Sequence, residues 1–575
     1  MKSRKQTALI RFALFALAVV LLNLVGQKVY KRFDLTAEGR FSLSDATTEM
    51  LGNLKQPIVV ECYLEGDLRP DLKKFRNSIE DVLGEMRSYS NGNFDYVFRN
   101  PAESGDPKAT KEFMASLYKS GLTPTDLQVK KEDGSFERQT LFPGVIIRSG
   151  DRETAVNLLN GTNSGMSGQE ILNASSEALE FEIINGIKNA MMVSKPTIGI
   201  IEGIGGLERL QMEDFILSIK KFYEVEFYDI GRFEPIPGNF KAIVVPKPSE
   251  EISDWKKFKL DNYVMRGGNV LWCVEQVNAT MDSMSRAGYF LATPYVNDPS
   301  GTNLGLDELL FRYGVRINRD LVQDLKCARI PLVMGSVGGR PSMQPRPWFY
   351  FPLTTSDGKH PIVKNVDPVW MQFAGSMDLV DAPGISKTVL LTSSRYSRSF
   401  PAPARVNLSL AANAPNPALY NKPFLPMAVL LEGKFESIYK NRILNDFAQK
   451  AVDSLHFQLY QSAIKPSKQI VISDGDVLAN YVSRDGTKVL PLGFDRISNM
   501  TWGNRRFVLN CIDYLTDETG FINIRGKEIS LRLLNLEKAK KEKVKWQVIN
   551  MVGPIVLLLG FGLVVSWRRK RKYAR

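Results

Sequence analysis

The sequence predicts an α/β protein set between two apolar end segments, and three observations carry that prediction. Residues 8–27 (ALIRFALFALAVVLLNLVGQ) and 546–567 (WQVINMVGPIVLLLGFGLVVSW) are almost continuously apolar. Between them, short runs rich in Val and Ile alternate with amphipathic stretches of helical length, the pattern of layered sheets and helices. Charge is also uneven: of a net +13, residues 1–32 carry +7 and residues 538–575 carry +10, which leaves −4 for residues 33–537. Basic clusters flanking apolar segments are drawn to anionic lipid head groups by about 1 kcal/mol per Lys or Arg. The body itself is mildly acidic, so membrane lipid is the expected partner and nucleic acid is not.

The first segment is just long enough, at about 1.5 Å per residue, to cross a hydrocarbon core of ~30 Å. It runs into NLVGQKVYKRF without a small-x-small cleavage site, which favours an uncleaved anchor over a signal peptide. The second segment is bracketed by Trp546 and Trp567 and stopped by Arg568–Lys572 (RRKRK). Two spans put both termini on one side. The basic KSRK and RRKRK ends favour cytoplasmic termini and a periplasmic body in a bacterial inner membrane.

At 575 residues the chain exceeds the size at which one core stops growing, so more than one domain is expected. Residues 33–193 read as the first. Strand signals at 58–64 and 94–99 alternate with helical patterns at 71–89 and 107–118. Two hairpins follow, at 127–141 and 144–158, and then a helix at 169–192. That order is compatible with a thioredoxin-like layer, although no CxxC is present for thiol chemistry. Residues 196–525 read as a doubly wound, Rossmann-like α/β domain, with parallel strands at 197–201, 225–229, 242–246 and 269–273. Within it, about 328–425 is rich in Pro and Gly and reads as an insertion dominated by loops, with one strand at 388–392. Strands at 427–431 and 469–473 and a helix at 505–517 complete the domain. Residues 526–545 form a charged linker helix that enters the second span.

Chemistry-bearing motifs are few. The chain has no GxxxxGK[ST], GxSxG or HExxH, so nucleotide-driven work belongs to a partner. The cysteines Cys62, Cys273, Cys327 and Cys511 have no metal spacing and sit in neighbourhoods that read as strand or helix interiors, as small buried hydrophobes. With only His360 and His456, a His-rich metal site is excluded; no metal or cofactor is expected. The Gly-rich turn Glu202–Leu207, with Gly203, Gly205 and Gly206, is a candidate anion loop, set against a plain strand-to-helix turn. Asp474 and Asp476 end the strand QIVIS and could hold a cation or a sugar hydroxyl, set against an Asp-Gly turn. Cys273 follows a strand as some nucleophiles do, but it lacks elbow glycines and an assignable base, so packing is the preferred reading. These residues leave open a saccharide-binding module or a cell-envelope hydrolase as alternatives to a non-catalytic protein.

Several stretches carry a family resemblance: R32-F-D-L-T-A-E-G-R-F-S-L-S44, A428-V-L-L-E-G-K-F-E-S437, I470-V-I-S-D-G-D476, P491-L-G-F-D495 and G503-N-R-R-F-V-L-N510. Together they resemble the gliding-motility ABC-transporter auxiliary (GldG) family of Bacteroidetes-type bacteria. The resemblance implies a non-catalytic inner-membrane subunit working with a separate permease and a separate P-loop ATPase. It also implies a central domain like class I glutamine amidotransferases without their catalytic residues, a fold suggested for an intraflagellar-transport domain with proposed saccharide binding. Many members of that family read E-G-H-G-E at the Gly-rich turn, where this chain has E202-G-I-G-G206. Arg32, Phe33, Asp34 and Leu35, at the exit of the first span, are expected to couple body to membrane.

Overall fold

A computed structural model describes residues 10–19, 43–103, 106–130, 136–159, 168–192, 194–284, 288–295, 304–337, 339–441, 458–483, 485–517 and 536–573. Contacts divide the chain into two units, Met1–Leu35 with Phe41–Lys527, and Thr36–Arg40 with Glu528–Arg575.

The N-terminal part of the first unit is a mixed four-stranded sheet with helices on both faces. Strands β1 (Ile58–Cys62), β2 (Phe94–Phe98), β3 (Gly144–Ser149) and β4 (Arg152–Asn157) lie in the order β2-β1-β3-β4. β1 and β2 are parallel, while β3 runs antiparallel to both of its neighbours. The parallel pair needs a crossover, supplied by a helix at Pro70–Tyr89. Pro70 starts that helix, where a missing N–H costs nothing. Leu72, Phe75, Ile79, Leu83 and Met86 then fall on one buried stripe. Ile58, Val60 and Cys62 face the same cluster, which also takes in helix Gly168–Met191 through Ile183, Ile184 and Ile187. The opposite face of the sheet packs Ile146 with Phe142 and Leu117 of helix Pro107–Lys119.

The second part is built on a seven-stranded sheet. Its strands are β5 (Thr197–Glu202), β6 (Glu224–Asp229), β7 (Phe240–Pro246), β8 (Asn269–Cys273), β9 (Ile385–Thr392), β10 (Pro426–Gly433) and β11 (Ser467–Ile472). They lie in the order β9-β10-β11-β8-β7-β5-β6. The pairs from β11 to β6 are parallel, and β10 and β9 add an antiparallel edge. Alternation along each strand divides the core. Ile198, Ile200, Val244, Leu271 and Ile470 face a cluster with Phe215 and Ile219 of helix Glu213–Lys220 and with Phe507 and Ile512 of helix Asn504–Thr516. Ile201, Val245, Val270, Trp272 and Val471 face a second cluster with Phe258 of helix Asp254–Met265 and Leu310 of helix Asp307–Tyr313. Burial on both faces is why these strands read as continuous apolar runs. The first of these clusters continues into the N-terminal part, so one core serves both.

One expectation fails here. Much of the Pro- and Gly-rich stretch is not loop: Cys327–Val337 and Arg340–Pro352 pair as a long antiparallel hairpin. In a two-stranded ladder every strand keeps one open side. Pro331, Pro341, Pro345 and Pro347 therefore sit within it although they lack a donor. Trp348, Tyr350 and Phe351 are buried in a separate cluster with Phe373 and Phe290.

In the second unit, Leu536–Tyr573 is one continuous helix that includes Pro554. The predicted linker and second span are thus a single element over the described residues, while 526–535 lie outside them. Its section Lys545–Lys572 is the one helix among the described residues long and apolar enough to cross a membrane. Of the first predicted span only Ile10–Val19 is described, as a shorter apolar helix. Arg32, Phe33, Asp34 and Leu35 lie outside the described residues.

Candidate functional site

Ligands of open α/β sheets bind beyond the carboxyl ends of the parallel strands. Three adjacent strands, β7, β8 and β11, each continue their ladder one step past the strand end, with a charged residue at that step in β7 and directly after it in β8 and β11. The Lys247 amide donates to Cys273 O (2.9 Å) and the Val274 amide to Ile472 O (3.0 Å). The Ser473 amide donates to Met427 O (3.0 Å), and its hydroxyl to Gly375 O (2.6 Å). Lys247, Glu275 and Asp474 are thereby brought together, joined by Asp476. Oxygens of Glu275, Asp474 and Asp476 lie within 4.8 Å of one another.

The cluster supplies its own cation. Lys247 Nζ lies 2.6 Å from Asp476 Oδ2 and 3.4 Å from Glu275 Oε1. Backbone donors take up further oxygens: Gln372 N reaches Asp474 Oδ2 (2.8 Å), Asp476 N reaches Asp474 Oδ1 (2.7 Å) and Gly475 N reaches Glu275 Oε1 (3.1 Å). Asp474 and Glu275 are buried. Burial pushes the Glu275 carboxyl up to about 7, against the pull of Lys247. Burial, with Asp476 and Glu275 as like-charged neighbours, holds Asp474 well above the usual carboxylate range. For Lys247, burial alone would favour the neutral amine; the surrounding carboxylates reverse that and raise it. Gly475 is needed because a Cβ there would stand 2.4 Å from Lys247 Cγ. Three carboxylates at strand ends are a donor set suited to a hard cation, but the ammonium already stands among them.

The Gly-rich turn meets this group at residues 246–250. Leu207 N donates to Pro246 O (3.4 Å), and the Ile204 carbonyl accepts from Ser249 N (3.0 Å) and Glu250 N (3.1 Å). Close packing explains its glycines. A Cβ at Gly206 would lie 2.3 Å from Pro246 O, one at Gly203 2.5 Å from Asp229 Oδ1, and one at Gly205 2.5 Å from Glu250 Cγ. Ile204 is fully buried among Ile201 and Ile230, which accounts for an apolar residue at that position. Glu202 is clamped by Arg209 in a two-pronged pair of 2.7 and 2.9 Å. Lys256 Nζ donates to Gly203 O (2.6 Å).

Asp474 and Asp476 come together as neighbours in sequence must. Glu275 and Lys247 were not singled out in the sequence; Glu275 stands two residues past an apolar strand, and that position was the available signal. Cys273 and Cys511 are buried, and burial pushes both thiols well above their ordinary range. His360 packs against Tyr514 at 4.9 Å between ring centres. All four cysteines are free thiols.

No curated protein matches the chain. Among solved structures, the mmIFT52 N-terminal domain is similar at 12% identity and a TM-score of 0.29, covering 56% of this chain and 97% of that one. Residues 37–148 match a domain of unknown function, DUF7088. Residues 195–511 match the model of the ABC-type uncharacterized transport system (ABC_transp_aux). That match spans more than half of the chain and takes in the seven-stranded sheet with its carboxyl ends. The chain therefore belongs to this ABC-type transport auxiliary family.

Proposed function

We propose that the chain is a non-catalytic, membrane-anchored subunit of an ABC transport complex. Residues 8–27 and 546–567 cross the bacterial inner membrane with both termini cytoplasmic, and the periplasmic body docks partners or ligand. A separate permease and a separate P-loop ATPase complete the complex, which serves gliding motility. The N-terminal part acts as a thioredoxin-like scaffold without thiols for redox work, and the central part as a glutamine-amidotransferase-like scaffold. Arg32–Leu35 and the linker couple body to membrane.

The observation that carries this reading is the exposed apolar helix Lys545–Lys572 on a chain of an ABC transport auxiliary family. Affinity purification of the tagged full-length chain from gently solubilised membranes tests it. A multi-span permease and a P-loop ATPase should co-purify; recovery of the chain alone, or with cell-wall enzymes only, overturns the reading. Replacing residues 32–44 by a Gly/Ser linker should abolish gliding while the body still folds.

A second reading, a saccharide-binding module, draws on the three carboxylates at the strand ends. A sugar there would have to displace Lys247 from Asp476. Calorimetry with cell-wall glycans that shows no heat removes it. Unimpaired function in Cys273→Ala and Asp476→Asn likewise disposes of a hydrolase.

A further inference from the structure

The outer edge of the central sheet opens on a groove that none of the sequence motifs marked. β9 is the last strand on its side, and its outward pairing among the described residues is the single bridge Thr355–Thr392. Alongside its second half lies a cavity of about 790 Å³ lined by Val389, Leu390, Tyr396, Phe424, Lys326 and Arg395, among others. Two large rings stand in solvent there, Tyr396 at 52% and Phe424 at 55% exposure. Phe424 has φ +55°, a region a bulky side chain rarely occupies. Phe424 N donates to Ser394 O (3.1 Å), and Leu425 N to Ser393 Oγ (2.8 Å), which fixes that backbone. The fold thus holds an apolar ring outward at a conformational cost.

The polar side chains of the groove decide what fits. Thr355 Oγ1 donates to Thr392 O and Ser393 O, and Ser394 Oγ to Asp324 Oδ1. A small polyhydroxyl ligand would find these hydroxyl groups already engaged. What the groove offers is apolar surface, strand backbone, the Ser356 and Tyr396 hydroxyls, and the cations Lys326 and Arg395 against Asp357 in its lining and Asp324 buried behind Ser394. An extended peptide brings what that surface lacks: backbone donors and acceptors, alternating apolar side chains, and a carboxylate. We propose that β9 and this groove take up an extended, apolar and acidic peptide segment of a partner polypeptide, which adds to the sheet as a further strand. The inference deepens the docking role proposed above and rests on it only for the partner's identity.

The test selects binders from a displayed library of random peptides, about ten residues long, on the full-length chain in detergent. Enriched sequences should alternate apolar residues and include Asp or Glu, and their binding should slow hydrogen exchange in β9. Phe424→Gly accepts the left-handed backbone and so keeps the fold, yet should weaken binding by about 30-fold, the scale of an aromatic anchor. Lys326→Glu should weaken acidic peptides selectively. No enrichment, binders indifferent to Phe424→Gly, protection outside β9, or self-association of the chain through this edge would each overturn the proposal. Because the selection needs no permease, its failure is distinct from failure to co-purify a transport complex.

Discussion

The carboxyl crest and the outer edge of one sheet treat polar groups in opposite ways. At the crest, where topology points to a ligand, Lys247, Glu275, Asp474 and Asp476 satisfy one another and tie three strand ends together. At the edge, β9 ends the sheet beside two exposed rings. Charged residues at the expected place therefore serve cohesion, and the open surface lies where no charged motif marks it. A buried ion cluster complete in itself is strongly coupled to stability, because removing one member strands the others.

The largest expected effect tests that coupling. Lys247→Met leaves buried carboxylates without their ammonium and should destabilise the body by about 3–5 kcal/mol. Denaturant unfolding of the full-length chain in detergent measures it; a loss under about 1 kcal/mol would show that the crest is not ion-locked.

Next comes the pH dependence. Glu275 has its pKa raised from 4.5 to about 7 in the fold. As pH rises through that interval, the unfolded chain releases the proton first and the folded chain keeps it. The Glu275 contribution to stability therefore falls between about pH 4.5 and 7, and Asp474, also raised, works in the same direction. His360, whose pKa burial lowers, works in the opposite direction. The informative quantity is the stability of wild type minus that of Glu275→Gln, which should decline across this window. A flat or rising difference would contradict the assignment.

A smaller effect sharpens the reading of the Gly-rich turn. Gly206→Ala would push a methyl against Pro246 O and should cost about 2 kcal/mol, measured by the same unfolding experiment. An unperturbed variant would free the turn from its packing explanation and restore its claim as an anion loop. The smallest effect belongs to the edge: Phe424→Gly should leave stability within about 1 kcal/mol of wild type, because backbone strain is relieved as a partly exposed ring is lost. A large loss would make Phe424 a core residue and remove its role in the groove.

The inner parallel strands of the central sheet were legible because they are buried on both faces, so Ile198–Ile201, Ile243–Val245 and Val270–Trp272 read as uninterrupted apolar runs. The Cys327–Pro352 hairpin was not legible, since proline is a strand breaker only where its missing donor would have been used. The candidate site was half legible. Asp474 and Asp476 announced themselves by adjacency, whereas Lys247 meets Asp476 across 229 positions and nothing local links them.

By itself the sequence determined the apolar end segments, the alternation of strands and helices, the missing catalytic motifs and the acids at the end of β11. These depend on hydrophobicity and on spacing along the chain, both local quantities. Only the tertiary structure decided that Lys247 would neutralise the crest, that the turn's glycines answer to Pro246, Asp229 and Glu250, and that β9 would close the sheet with an open edge. Strand order sets which ends become neighbours and which edge stays unpaired, and strand order is fixed by packing between segments far apart in the chain.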